Sequence, residues 1–312
     1  MPTLGWSDAR RIADWVGGNY AARWERDLPA IREAYPGLVL PVQVGLVPID
    51  PDPDSGLWEF LFLGTGEEPL RGADGMLMMT EESGLVLVLL PGGSFWMGAQ
   101  SSDPKGRNFD EQAKAYESPV HEVTLYPFFI SKYEMTWGQW KRVAGEDTSF
   151  IGSSLAPVYR VSWNDCMEWL PRIGAHLPSE AQWEYSARAR TYTPWWTGEG
   201  HESLEGAANV RPFGTGRVAQ VGTLAANAFG LHDVHGNLWE WCLDGYDRRF
   251  YENPEASGPN PMAPYVRADL RVHRGGSFGD DAGRARSANR AYRGPSGARD
   301  GIGVRPARVI TE

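Results

Sequence analysis

Apolar residues recur at helical spacing near the start of the chain and then give way to alternation and short runs. Ser7 stands where an N-cap would, ahead of Ile12, Trp15 and Val16 on one face. Trp24, Leu28 and Ile31 repeat the spacing and predict a second helix. Leu38 to Ile49 and Leu57 to Leu63 read as strands, separated by the turn-rich stretch from Asp50 to Gly56. Residues 1–84 therefore predict a small α+β extension, and no catalytic constellation falls within it.

The texture changes at Gly84. Val86 to Leu90 predicts a buried strand, residues 99–119 a long polar loop, and the alternation from His121 to Ile130 another strand. Three capping-box patterns follow. Thr136 with Gln139, Ser162 with Asp165 and Ser179 with Gln182 each predict a helix start, the third carrying Trp183 and Ala187 inward. After about residue 190 the pattern is loops and short strands.

Composition sharpens this picture. The chain has 312 residues, with Gly 37, Pro 23 and Trp 14, a mixture that suits a loop-rich fold anchored by aromatics rather than a helical bundle. A net charge of −10 leaves no overall footprint for nucleic acid or an anionic membrane, so neither is expected as a partner. Arginines cluster locally near the C-terminus (Arg284, Arg286, Arg290, Arg293, Arg299, Arg305, Arg308), and the favoured reading is pairing with carboxylates and backbone carbonyls. The longest apolar run, Leu85 to Leu90, is too short to span a bilayer. The opening residues lack a signal-peptide apolar region, so a cytoplasmic location is expected. Two cysteines, Cys166 and Cys242, make no disulfide framework, and whether they pair is open.

From Leu89 onward the motifs become specific. The run Pro91 to Gly98, Pro119 to Val123, Lys132 to Thr136, Val161-Ser162-Trp163 and Leu177 to Tyr185 occur in order. Phe229 to Trp241, Arg274-Gly275-Gly276-Ser277-Phe278 and Gly303-Val304-Arg305 complete the set. This collinear series resembles the formylglycine-generating-enzyme (sulfatase-modifying factor) family. The resemblance implies a C-type-lectin-like α+β fold over residues 85–312, loop-rich with short strands and few helices. A variable-type segment at 274–308 closes it.

In that family two cysteines beyond the Gly-Gly-Ser-aromatic motif bind copper and activate oxygen, chemistry that suits soft thiolates. The matching positions here are Asp280 and Ala285. The oxidase reading fails there, and no copper is expected. A related branch uses a histidine-bound non-haem iron, but residues 1–120 contain no histidine, so no iron is expected either. His232 and His235 form a lone His-x-x-His pair that could ligate a metal, or simply hydrogen-bond to loop backbone. The resemblance also implies a possible structural calcium at Asp233, Gly236, Leu238 and Glu240, where hard oxygen donors would suit that ion. A second family site would begin at Asn209 and Val210, without a clear downstream carboxylate.

The same fold family includes the variable proteins of diversity-generating retroelements, whose C-terminal side chains form a binding face on a fixed scaffold. The tail here alternates in that manner. Framework pieces flank short polar runs at Gly279, Asp280, Asp281 and Arg284, at Ala291, Tyr292 and Arg293, and at Ser296, Gly297, Asp300 and Gly301. Between Arg274 and Arg308 there is no Lys, Glu, Gln, Met or Trp, residues that randomising the first two bases of an Asn codon cannot produce. A GC-rich genome would leave the same gap. Two functions follow: a non-enzymatic binder of a protein or other ligand through these loops, or a divergent oxidase or non-haem iron enzyme acting on a thiol. In the binding reading Tyr292 and Arg293 are the expected anchors, with Asp280 and Asp281 setting charge complementarity.

Overall fold

All three capping boxes start helices in the computed structural model, which describes residues 20–145, 153–266 and 268–311. Thr136 caps α2 (Trp137–Ala144), Ser162 caps α3 (Trp163–Trp169) and Ser179 caps α4 (Glu180–Arg188), each box with both reciprocal hydrogen bonds formed. The stretch from Trp24 to Ile31 lies in α1 (Tyr20–Ala34), with Trp24 and Ile31 buried. The helix expected after Ser7 lies outside the described residues.

The strands in chain order are β1 (Leu46–Pro51), β2 (Trp58–Phe62), β3 (Leu70–Arg71), β4 (Leu77–Met78), β5 (Val86–Leu90), β6 (Gly93–Met97), β7 (His121–Leu125) and β8 (Phe128–Ser131). After the three helices come β9 (Trp239–Gly245), β10 (Gly258–Pro259), β11 (Arg271–Arg274), β12 (Ala291–Arg293), β13 (Ile302–Gly303) and β14 (Ala307–Val309). A five-stranded sheet runs β1-β2-β5-β8-β14, a three-stranded sheet β10-β7-β6, a four-stranded sheet β12-β11-β9-β13, and β3 pairs with β4.

Two strand expectations need correction. The strand read from Leu38 begins only at Leu46. Pro41 has no N–H to give a ladder, Gly45 adopts φ +84°, and Leu46 N–H turns back to the carbonyl of Gln43. The run from His121 to Ile130 is two strands, because the chain leaves the three-stranded sheet at Leu125 and enters the five-stranded one at Phe128.

Residues 20–84 supply α+β elements that join the main core rather than sitting beside it. β1 and β2 extend the sheet that also holds β5, β8 and the C-terminal β14. β5 is buried throughout, as its uninterrupted apolar sequence requires for a central strand. Phe60 meets Phe129 edge-on at 5.1 Å, and Trp24 packs on Phe60 at 5.5 Å. At this seam the fully buried Lys132 ammonium lies 2.7 Å from Asp52 and 2.8 Å from Glu59. Removing either carboxylate would leave charge stranded in the interior.

Candidate functional site

The C-terminal segment alternates between buried and exposed stretches. Arg271 to Ser277, Ala285 to Arg290 and Ile302 to Arg308 are buried. Between them, Gly279, Asp281, Arg284, Tyr292, Ser296 and Asp300 are exposed, while Asp280, Ala291, Arg293, Gly297 and Gly301 are half-buried. Ala298 and Arg299 are exposed as well and belong to the same face, although the framework pattern did not single them out.

Arginines fix the buried stretches, as expected for Arg286, Arg290, Arg305 and Arg308 of the cluster, whereas Arg284 and Arg299 face solvent. Arg274 in β11 pairs with Glu180 at 2.9 Å and with Glu184, and donates to the carbonyls of Ser287 and Ala288. Arg290 makes a two-pronged contact with Glu180 at 2.7 and 2.8 Å. Arg286 reaches Glu117 with both terminal nitrogens at 2.8 Å and also pairs with Asp110. Arg305 grips Glu240 and donates to the carbonyls of Ser131, Lys132 and His232. Bidentate guanidinium–carboxylate pairs hold position as well as charge, so the loops spring from anchored ends.

The positions matching the family's thiols are both structural. Asp280 points inward: its Oδ2 accepts from Trp239 Nε1 at 2.8 Å and from the Ser277 hydroxyl at 2.6 Å. One oxygen of this half-buried carboxylate is therefore held by the scaffold, and of the acidic pair Asp281 is the more outward. Ala285 is fully buried with Trp195, Leu204 and Val210. Gly276, at φ +74°, passes so close to it that a Cβ there would lie 2.9 Å from Ala285 Cα. Cys166 and Cys242 are both free and buried, and burial pushes both thiols well above the ordinary range. A buried, protonated thiol is a poor nucleophile, and neither sulfur is presented to a substrate.

Within the C-terminal segment Tyr292 is the exposed aromatic, 52% accessible on the edge strand β12. Its ring packs on Tyr246 at 4.2 Å. Tyr246 in turn lines a cavity of about 490 Å³ with Asp247, Arg248 and Phe250. The loop carrying Ser296 to Asp300 rests on the α3 entry, through Asn164 N–H to the Pro295 carbonyl (3.0 Å) and an exposed Arg160–Asp300 pair.

The histidine pair does not converge. His232 Nδ1 contacts the Leu224 carbonyl at 2.8 Å and its ring stacks on Tyr133 at 4.9 Å, with burial and Lys132 lowering it to about 4. His235 Nε2 accepts the Trp196 N–H at 3.1 Å, and burial lowers it to about 3. Both are neutral, with separate structural duties. Among the described residues no group of three or more His, Cys, Asp or Glu side chains is arranged to hold a metal.

Of the four positions offered to calcium, Gly236 is pinned by backbone contacts to Asn209 and Gly275, and Leu238 N–H donates to Glu134 at 3.0 Å. Glu240 is committed to Arg305 and to Trp183 Nε1 at 2.7 Å. Only Asp233 keeps a buried oxygen, Oδ1, without a hydrogen-bond partner, and burial raises its carboxyl to about 6. Of the two carboxylates, Asp233 is the one with an oxygen left for the ion. At the second position the Asn209 side chain instead closes its own loop, accepting from Thr215 N–H and donating to the Arg217 carbonyl.

Comparison with known proteins agrees with the fold. Residues 76–310 match the model of the sulfatase-modifying factor enzyme 1-like domain. The formylglycine-generating enzyme of Thermomonospora curvata is 29% identical over 258 residues, covering 62% of this chain and 82% of the relative. Among solved structures, PvdO from Pseudomonas aeruginosa superposes with a TM-score of 0.64 at 27% identity, over 78% of this chain and all of that one. Treponema denticola variable protein 1 shares the fold at a TM-score of 0.60 and 19% identity, over 75% of this chain and 98% of that one. No helix among the described residues is long and apolar enough to cross a membrane. With a family match across most of its length and this α+β, C-type-lectin-like architecture, the chain belongs to the sulfatase-modifying factor enzyme 1-like family.

Proposed function

We propose that this chain is a non-enzymatic member of its family that binds a protein partner through the exposed runs of its C-terminal segment. The observation that carries the reading is the fate of the two thiol positions. Asp280 is held by Trp239 and Ser277, and Ala285 is sealed beneath Gly276. Around them, anchored arginines hold exposed loops in place, and rigid scaffolds with displayed loops are where recognition concentrates. Tyr292 is the aromatic anchor, Arg284 and Asp281 supply outward charge of both signs, and Ser296 and Asp300 complete the face. The same face is where retroelement-driven diversification would be written. A template copy of the tail beside the gene, differing at adenines, would establish that mode of variation.

The decisive experiment is an anaerobic copper(I) titration followed by oxygen uptake in the presence of a cysteine peptide. The expected result is neither stoichiometric copper binding nor oxygen consumption. Copper bound one to one, with turnover of the peptide, would overturn the proposal in favour of an oxidase.

Calcium enters this reading only at Asp233, whose free Oδ1 supports it while the commitment of Glu240 limits the site to a weak one. Millimolar calcium should raise the melting temperature of EDTA-washed protein, and Asp233→Asn should remove the effect. An unshifted wild-type melt would end the calcium reading.

A further inference from the structure

Away from the C-terminal face, a cleft of about 400 Å³ lies between β6 and the end of α4. Its size falls within the roughly 300–1,000 Å³ typical of small-molecule sites. Four aromatic rings line it: Phe95 and Trp96 from β6, Tyr185 from α4, and Tyr192 from the following loop. The walls are held by contacts that leave ring surface available. Phe95 meets Tyr185 edge-on at 5.4 Å, and the Tyr185 hydroxyl is tied to the Gly92 carbonyl at 2.6 Å.

The charge of this cleft runs against that of the molecule. The chain carries −10 overall, yet no acidic residue lines the cleft, and three arginines do. Arg188 is already consumed by Glu184, the Gly98 carbonyl and the Thr193 carbonyl. Arg107 and Arg190 are different. The Arg107 guanidinium lies over the Trp96 ring at 4.4 Å and that of Arg190 over Phe229 at 5.5 Å, and neither has a carboxylate partner among the described residues. Stacking on a ring face orients a guanidinium while leaving its N–H edge free, the arrangement that takes a carboxylate or phosphate in a two-pronged grip. Every other arginine discussed in the buried framework has such a partner within the protein, so two oriented, unmatched cations at the rim of an aromatic cleft call for an anion from outside.

We propose that this cleft binds a small planar anion: an aromatic ring bearing a carboxylate or a phosphate. The ring lies among Phe95, Trp96, Tyr185 and Tyr192, and the anionic group meets Arg107 and Arg190. Arg107 and Tyr192 also line a second cavity of about 710 Å³, so a ligand longer than one ring has room to extend. That cavity carries both signs of charge, including Lys105, Glu111 and Glu199, and so the anion preference is confined to the smaller cleft. The site is independent of the C-terminal face.

Isothermal titration at low salt tests it with phenyl phosphate and benzoate as probes, against phenol and inorganic phosphate. The expected result is saturable binding of at least one aromatic anion, with phenol and inorganic phosphate weaker by roughly tenfold or more, as loss of a charged hydrogen bond or of the stacked ring implies. Arg107→Gln with Arg190→Gln should weaken the aromatic anion by a similar factor at an unchanged melting temperature, both side chains being exposed. Tyr292→Ala should leave it unaltered. No saturable binding of either aromatic anion, equal binding of inorganic phosphate, or full binding by the double arginine variant would each overturn the proposal.

Discussion

The C-terminal segment contains two regions of opposite character within a few residues of each other. Arg274, Arg286, Arg290 and Arg305 are buried, each locked to carboxylates on other elements. Asp281, Arg284, Tyr292 and Asp300 face solvent. Buried ion pairs contribute little net stability over a well-packed apolar alternative, but breaking one strands a charge and is costly. They hold geometry. Exposed side chains contribute little to stability in either direction. Such a division lets the outward residues change without cost to the fold, which is what a recognition face on a fixed scaffold requires.

The largest effect should come from the anchored side. Arg286→Ala leaves Asp110 and Glu117 buried without their cation and should destabilise the chain by about 3–5 kcal/mol in urea unfolding. A loss below about 1 kcal/mol would mean that the framework is not held as described. Next comes Gly276→Ala, where the left-handed backbone and the 2.9 Å approach to Ala285 Cα combine; the expected cost is about 1–3 kcal/mol.

Acidification supplies a graded test. His232, lowered to about 4, and His235 and His273, both lowered to about 3, are neutral in the fold but charge near 6.5 when unfolded. Their contribution is present above pH 6.5 and is lost as pH falls through the folded values, because the unfolded chain takes up the protons first. Asp233, raised to about 6, and Asp244, raised to about 7, act in the opposite sense between their unfolded values near 4 and those folded values. Glu134 and Glu117, raised by burial, add to this opposing sense, and His176, lowered by burial, adds to the first. A single substitution isolates the histidine part: His232→Gln, which keeps a donor for the Leu224 carbonyl, should make the change of stability between pH 6.5 and 4 less unfavourable than that of wild type by one proton. An unchanged pH slope in His232→Gln would contradict the assignment of a neutral His232.

The smallest effects belong to the exposed side. Asp281→Asn should lie within about 0.5 kcal/mol of wild type, and Tyr292→Ala should cost no more than about 1 kcal/mol, the worth of its ring contact with Tyr246.

How much of this was legible in the sequence depended on how local the chemistry is. The boxes at Thr136, Ser162 and Ser179 involve partners three residues away, and all three form. The buried strand Val86–Leu90 was legible because an unbroken apolar run needs cover on both faces. The joining of β1 and β2 to β5, β8 and β14 was not, since pairing across such separations leaves no mark in either stretch. The hold on Asp280 was not legible for the same reason: what draws one of its oxygens inward is an indole N–H 41 residues earlier in the chain. The alternation of framework and display in the tail was readable from composition, whereas Ala298 and Arg299 escaped because small and cationic residues occur on both sides of it.

The central claim, that the exposed runs bind and the framework holds, is tested most directly by one paired measurement on Tyr292→Ala with Arg284→Ala. Melting temperature and retention of the partner cross-linked to wild-type chain in extracts of the producing cells are read on the same preparation. The account predicts a melting temperature close to that of wild type with the partner lost. Partner retained at wild-type level, or lost only together with the fold, would contradict it.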